Sequence, residues 1–492
     1  MKKVKLLVLI SVVMALVFMS ASCPIGPGPG VSGGVPYNIT NNFAEDSSTG
    51  FLVQWHNDTD VAAQALQIVE ENGNWSNAKE IVVTGVLWNP TRTPANRDVG
   101  NYTPRNIFKT EVTGLTPGTK YMYRMGSPGN WSETFYHLTS NGSFANFSFT
   151  VGADTQDNVF SVMRNTFNAA KTYDDNNRFF LIAGDISDYP QNNINEFPNY
   201  TKVANDFNVR TPIATTQGNH DTYLKSNSSN NDEYMFGSAE VFNSFMVFPN
   251  NGWARKAGQA NAGPHRSDSY YFYYNEVLII MLNTMATQNA TGTGEPNHAA
   301  QRTWLEDVLK HDKDNNLSKY IIAVTHITFF DGRGSNRGSP AGSQEGWLMT
   351  EARAAYGKIL TDYDVDIVFF GHDHVYTRSN PIKFGTNTSL PTMYSNGDLN
   401  TVSNGTIFSI AGSIGPKIYA FRNHPVDPSA APVTTNYNSY IPYTWPVRTD
   451  QQSPGVFVNV KVTAEKLIVN AIRLNNATPI DTYDVPAKQR GN

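Results

Sequence analysis

The residues best able to do chemistry in this 492-residue chain stand just beyond apolar runs. Ile367-Val368-Phe369-Phe370 leads into Gly371-His372-Asp373-His374, and two histidines two residues apart on an extended segment point to the same side. Imidazoles placed in this way can serve one metal ion or two neighbouring ones. On their own they specify little, but four further runs end in the same manner. Phe147 to Val151 is followed by Asp154-Thr155-Gln156, Arg178 to Ala183 by Gly184-Asp185-Ile186-Ser187-Asp188, Pro212 to Thr216 by Gly218-Asn219-His220-Asp221, and Tyr320 to Val324 by His326. Carboxylate and amide oxygens combined with imidazole suit hard or borderline cations. Ligand sites of open α/β sheets collect at the carboxyl ends of strands, which is where all of these residues fall.

The elements that must position them alternate between strand and helix. Asn158 to Thr172 reads as a helix, as do Ala299 to Lys310, with Trp304, Leu305, Val308 and Leu309 on one stripe, and about Trp347 to Asp362. Tyr270 to Asn283 reads as two aromatic-rich strands, and Pro454 to Val460 with Lys466 to Asn470 as a closing hairpin. The pattern predicts a layered α/β (α+β) domain over residues 147–484, with an irregular Pro-, Asn- and Tyr-rich insertion at about Phe421 to Ser453. Residues 35–140 show instead short alternating runs, among them Phe51 to Trp55, Ala65 to Val69 and Lys109 to Val112, as expected of an all-β sandwich. Its segment Leu115-Thr116-Pro117-Gly118-Thr119-Lys120-Tyr121 resembles the corner of fibronectin type III-like domains, where a tyrosine bonds back to the backbone. A packing role for this domain is favoured over a carbohydrate- or protein-binding one.

The net charge of −5 and 16% charged residues give no footprint for a nucleic-acid partner. Residues 1–22 read as an export signal: Lys2, Lys3 and Lys5 precede the apolar run Leu6 to Met19, which is short for a membrane span. Cys23 is the sole cysteine, so no disulfide can form within the chain. Its position after Ser20-Ala21-Ser22 resembles a bacterial lipoprotein signal, which implies cleavage before Cys23, acylation there and a membrane partner through the lipid. Residues 23–34 form a Gly/Pro tether. The expected location is the cell surface or periplasm, as an anchored lipoprotein or else secreted.

In order, Asp154-x-Gln156, Gly184-Asp185-x-x-Asp188, Gly218-Asn219-His220-Asp221, His326 and Gly371-His372-x-His374 resemble the motifs of calcineurin-like metallophosphoesterases. With the sandwich and the stretch Gly371 to Arg378, the likeness is greatest to the purple acid phosphatase branch, from about Val35 to Asp484. The resemblance implies two divalent or mixed-valence ions of iron, zinc or manganese, a metal-bridging hydroxide, and a phosphate ester substrate. It assigns Asp185 as the bridge, with Asp154 and His374 at one ion and Asn219, His326 and His372 at the other; Gln156, whose neutral carbonyl oxygen can ligate, is counted as a candidate at the first. His220 is carried over as the group that contacts the phosphate and protonates the leaving oxygen. Two departures stand out. Gln156 occupies a position where many members have His and the purple branch has Gly, which predicts a weaker first site. Asp188 stands where purple enzymes carry the iron-binding Tyr; as in the protein-phosphatase branch, it is expected to orient His220, and no iron–tyrosinate colour is expected. Acid phosphatase-like phosphomonoester hydrolysis is the favoured activity, with a phosphodiesterase or nucleotidase on the same centre as the alternative. An inactive surface binding protein is the rival outside enzymes, and Gln156 alone speaks for it. His56, His137, His298, His311 and His424 are expected at surface or packing positions, while His265 and Arg333 are weak candidates for the substrate pocket.

Overall fold

The protein is described by a computed structural model. It describes residues 33–489 apart from 91–101, 158, 191–192, 209–211, 223–239, 253–268, 285–295, 331–343, 386–398, 402–403, 418–442 and 446–454. Cys23, His265, Arg333, His424 and nearly all of the expected insertion lie outside the described residues, as does the side chain of His298.

Among the described residues nine strands form the N-terminal part: β1 (Tyr37–Phe43), β2 (Phe51–Asn57), β3 (Ala63–Glu70), β4 (Lys79–Thr84), β5 (Val86–Trp88), β6 (Arg105–Val112), β7 (Lys120–Ser127), β8 (Asn130–Trp131) and β9 (Phe135–Leu138). They pair antiparallel in two sheets, β1-β2-β6-β5 and β4-β3-β7-β8, with β9 on β7. Alternation along the strands sends Phe51, Val53 and Trp55 from one sheet, and Leu66, Ile68, Tyr123 and Met125 from the other, into one shared core. The expected corner is present, since the Thr116 backbone N–H donates to the Tyr121 hydroxyl at 2.9 Å.

The second part is built on two larger sheets. The first comprises β10 (Phe147–Gly152), β11 (Asn177–Ile182) and β12 (Ile213–Thr215) in parallel, joined antiparallel through β10 to the antiparallel meander β22 (Val456–Val462), β23 (Lys466–Arg473) and β24 (Asn476–Pro486), in the order β12-β11-β10-β22-β23-β24. The second runs β13-β14-β15-β16-β20-β17-β21: β13 (Tyr270–Tyr274), β14 (Val277–Leu282), β15 (Tyr320–Thr325), β16 (Ile367–Phe370), β17 (Tyr376–Arg378), β20 (Ile407–Ala411) and β21 (Tyr443–Trp445). Beside it β18 (Ile382–Phe384) pairs with β19 (Leu399–Thr401).

Period-two patterning explains the layering. Val277, Ile279 and Met281 face the core between the two sheets with Phe149, Val151 and Val458. Their alternates Leu278, Ile280 and Leu282 face the layer containing Leu305 and Leu309, Met349, Tyr356 and Leu360 from the helices Pro296–Asn315 and Gln344–Asp362. On the far side, Phe167 and Phe207 from the helices Ser161–Tyr173 and Glu196–Asn208 pack on one another with ring centres 4.5 Å apart, and Phe167 covers Phe180 of β11 at the same distance. A strand buried on both faces must be apolar throughout, and β14, β15 and β16 are fully buried.

Three details differ from the sequence expectations. The first helix starts at Ser161 rather than Asn158, because the Asp157 carboxylate accepts from the backbone of Val159 and Ser161 and Phe160 turns left-handed. Within the span expected to be irregular, Tyr443–Trp445 forms an edge strand on β17. The closing hairpin gains a third strand, β24, whose polar residues gave no clear strand signal.

The sandwich is welded to the second part rather than tethered beside it. The short helix Glu240–Phe245 ends in carbonyls that have no partner within the helix, and the sandwich supplies donors for them. His56 and Gln54 donate to Ser244 O (both 2.7 Å), Thr40 to Phe245 O (3.0 Å), and Lys109 to Asn243 O and Met246 O (both 2.9 Å). Phe43, fully buried, stacks on Phe272 at 4.4 Å and meets Phe179 edge-on at 5.2 Å. Truncating Phe43 to Ala is expected to destabilise the whole protein by about 3–5 kcal/mol, measured by denaturant unfolding of the full chain. A transition confined to the sandwich would contradict this shared core.

Candidate metal centre

Both sheets aim their strand ends at one place. The loops after β10, β11 and β12 of the first sheet bring Asp154 and Gln156, Asp185 and Asp188, and Asn219 and His220. Those after β15 and β16 of the second sheet bring His326, His372 and His374. The loops are laced together by backbone bonds, Asp154 N to Gly184 O, Gln156 N to Asp185 O and Gly371 N to His326 O, at 3.1 to 3.3 Å. Asp154, Gln156, Asp185, His372 and His374 all have left-handed backbones, with φ from 22° to 71°. Five non-glycine residues in that sparsely populated region at one spot mark a site whose geometry the surrounding fold enforces. Gly218 is there because the neighbouring loop presses on it: a Cβ would lie 2.1 Å from Asp185 Oδ1.

Two groups of ligating atoms result, Asp185 with His326 and His372, and Asp154 with Asp185 and His374, each within 4.8 Å and each buried. Asp185 belongs to both. His326 donates Nδ1–H to Ala183 O (2.7 Å), which fixes its tautomer and turns Nε2 to Asp185 Oδ2 at 3.2 Å. His374 is held likewise, Nδ1–H on Lys417 O (2.9 Å) and Nε2 3.3 Å from Asp154 Oδ1. Asn219 Oδ1 lies 2.9 Å from His326 Nε2 and 3.0 Å from His372 Nδ1. Gln156 meets the shared carboxylate with its amide nitrogen, Nε2 to Asp185 Oδ2 at 2.9 Å, and its Oε1 is buried without a donor among the described residues.

Charge makes the same point. Burial, reinforced by the neighbouring Asp185, raises Asp154 well above the usual carboxylate range despite the opposing pull of His326. Burial also works against the charged form of Asp185, but His326 and His220 hold it below that range. Burial would strip His326 of its proton, yet the Asp185 carboxylate overrides this and holds its pKa up to about 9. Burial pushes His374 down to about 3, so its imidazole is neutral and its Nε2 offers a lone pair. Two buried carboxylates this close need more positive charge than one imidazolium supplies, and Asp154 Oδ2 is buried with no hydrogen-bond donor among the described residues. The donor set therefore fits two cations with mixed oxygen and imidazole ligation.

Beside this cluster stands His220. Its backbone N–H donates to Asp185 Oδ1 at 2.8 Å, and its Nδ1 lies 2.9 Å from the Asp188 carbonyl and 3.0 Å from the Asp188 carboxylate. The structure thus brings together all the sequence-derived residues of the described region. Three others were missed. Asp221, inside the Gly218-Asn219-His220-Asp221 motif, clamps two loops by accepting from Ser187 N and Oγ and from Gly218 N. Glu196, buried, accepts from the backbones of Asp188 and Tyr189 at 2.9 and 3.0 Å, an arrangement without any motif signal. Lys417, six residues beyond β20, pairs its ammonium with the Asp188 carboxylate. The remaining histidines behave as expected: His56 and His137 are buried packing residues, His137 stacked on Phe51 at 4.1 Å, and His311 is exposed.

Comparison with known proteins agrees with this geometry. Residues 147–376 match the calcineurin-like phosphoesterase family and residues 36–139 the purple acid phosphatase N-terminal domain. The chain thus carries a calcineurin-like phosphoesterase domain behind a purple acid phosphatase N-terminal domain, which places it among metal-dependent phosphoric ester hydrolases. An uncharacterized protein of Mycobacterium tuberculosis is 23% identical over 428 residues, covering 80% of this chain and 73% of that protein. Purple acid phosphatase 15 of Arabidopsis thaliana is 24% identical over 306 residues, covering 57% of this chain and 51% of that protein. Among solved structures, a purple acid phosphatase from yellow lupin (Lupinus luteus) superposes with a TM-score of 0.67 at 17% identity, over 93% of this chain and 75% of that one.

Proposed function

We propose that this protein is an exported, dinuclear-metal phosphomonoesterase. The observation that carries the reading is Asp185, whose carboxylate belongs to both buried ligand groups. In this reading Asp154, Asp185 and His374 hold one ion and Asp185, Asn219, His326 and His372 the other. Gln156 contributes to the first site only if its amide turns to present Oε1. Ions there, of iron, zinc or manganese, would supply Lewis acidity toward a water and the phosphoryl oxygens. The chain's own part is to bind, orient and deliver a proton. His220, whose Nδ1 is engaged by Asp188, keeps Nε2 for the substrate. As the bond from phosphorus to the leaving oxygen breaks and a water oxygen takes its place, the Nε2 proton passes to the leaving oxygen as general acid.

The test is a side-by-side panel of phosphate mono- and diesters on metal-reconstituted protein. Faster turnover of monoesters is expected. Preference for diesters would move the activity to a phosphodiesterase, and no hydrolysis at full metal content would favour a binding protein.

Colour offers a second check. One Arabidopsis relative is named an Fe(3+)-Zn(2+) purple acid phosphatase. Here Asp188 takes the place of the tyrosine, and the adjacent Tyr189 sets its ring edge-on to His220, centres 5.5 Å apart. The iron-loaded protein is expected to lack a tyrosinate charge-transfer band in the visible spectrum. A band that disappears in Tyr189→Phe would place that phenol on the metal.

Export rests on residues 1–22, and anchoring on Cys23 with the Gly/Pro tether behind it. Wild-type protein is expected in the membrane fraction and Cys23→Ala largely outside it, because removing the thiol removes the acylation point. Equal membrane recovery of the two would contradict the lipid anchor.

A further inference from the structure

Lys417 touches the candidate site twice, with different parts of itself. Its backbone carbonyl accepts the Nδ1–H of His374, a residue of the first metal group. Its side chain turns the other way and sets its ammonium on Asp188 Oδ1, the same oxygen that lies 3.0 Å from His220 Nδ1. The ammonium also lies 6.0 Å from the centre of the Tyr189 ring, which itself covers His220. Asp188 is therefore gripped at three groups: its backbone N–H by the buried Glu196, its carbonyl by His220 Nδ1 at 2.9 Å, and its carboxylate by His220 Nδ1 and by Lys417. Burial opposes its charge, but the bonds from His220 and Lys417 keep its carboxyl below the ordinary range. The Asp188 side chain is 26% exposed. A carboxylate that near to solvent has a competing pull outward, and a second fixed donor is what holds it against the imidazole.

We infer that Lys417 is a positioning residue for leaving-group protonation: it acts through Asp188 to hold the His220 ring in place and does not itself contact the reacting atoms. The inference rests on the phosphoesterase reading of the site above. The sequence offers no hint of it, because Lys417 is 229 residues from Asp188 and meets it only through the order of the sheets. The expected consequence is selective. With Lys417→Met the Asp188 carboxylate swings toward water, the His220 ring keeps the Asp188 carbonyl but loses the charged one of its two Asp188 contacts and loosens, and substrates whose leaving group needs a proton suffer. The His374 contact survives, since any residue at 417 supplies the carbonyl.

The experiment uses the full-length, zinc-reconstituted protein as wild type, Lys417→Met, Lys417→Arg, Asp188→Asn and the Lys417→Met/Asp188→Asn double variant. Turnover of an alkyl phosphate should fall on the order of tenfold in Lys417→Met through kcat, with KM, 4-nitrophenyl phosphate turnover and zinc content nearly unchanged. Lys417→Arg should restore most of the loss, and the double variant should be no worse than Asp188→Asn alone, as for two residues on one path. A readout independent of turnover is solvent exchange of the His220 Nδ1 proton, followed by NMR at fixed pH. It should quicken in Lys417→Met and return toward wild type in Lys417→Arg. Losses equal on both esters, a rise in KM alone, loss of zinc, additive effects in the double variant or unchanged exchange would each overturn the positioning role. If wild-type protein hydrolyses neither ester, the phosphomonoesterase reading fails, while the exchange measurement still decides what Lys417 does.

Discussion

Asp185→Asn is expected to lower the bound metal from the proposed two ions per chain to fewer than one and to slow phosphate release by on the order of 10³-fold or more. The expectation follows from the position of one carboxylate. Among the described residues Asp185 alone is common to both buried ligand groups, so neutralising it removes a charged ligand from each. The remaining charged oxygen ligand is Asp154, which burial already pushes toward its protonated form. Asn has nearly the shape of Asp and still offers an oxygen to the backbone N–H of His220, so the change acts mainly on charge. Elemental analysis and phosphate release on the same preparation check the result. A variant that keeps two ions would show that Asp185 is not the shared ligand.

His220→Ala produces the second large effect, and its signature is selectivity. General acid assistance is worth about 10²–10⁴-fold. An alkoxide needs that proton on departure, whereas a nitrophenolate leaves readily as an anion. Alkyl phosphate turnover should therefore fall by that factor and nitrophenyl phosphate turnover far less. Metal content should stay at the wild-type level, because the contact of residue 220 with Asp185 runs through its backbone N–H. Equal losses on the two substrates would remove His220 from the acid role and leave it as a phosphate-binding group.

The site was more legible in the sequence than the fold that presents it. Each candidate ligand follows an apolar strand within a few residues, and the loops are so tight that Gly184 and Gly218 admit no side chain, so local patterns carry the information. Asp154, Asp185, Asn219, His220, His326, His372 and His374 were accessible for that reason. What local pattern cannot convey is the order of strands across a sheet. β10 lies between β11 and β22, and β16 pairs with β20, so that Lys417 beyond β20 reaches Asp188 beyond β11. Glu196 escaped notice because a carboxylate in the first turn of a helix ordinarily reads as a favourable dipole contact, and only its burial against two loop N–H groups reveals another use. The third closing strand was missed for a compositional reason: Asn476–Pro486 carries prolines and polar residues, as an edge strand can.

In the proposed dinuclear centre, two metal ions sharing Asp185 are required together for ester hydrolysis. Stepwise addition of zinc to chelator-treated protein, with bound metal and phosphate release measured at each step, tests this requirement most directly. Binding is expected to saturate at two ions per chain, with release from an aryl phosphate rising mainly over the second equivalent. Full activity at one bound ion per chain would contradict it.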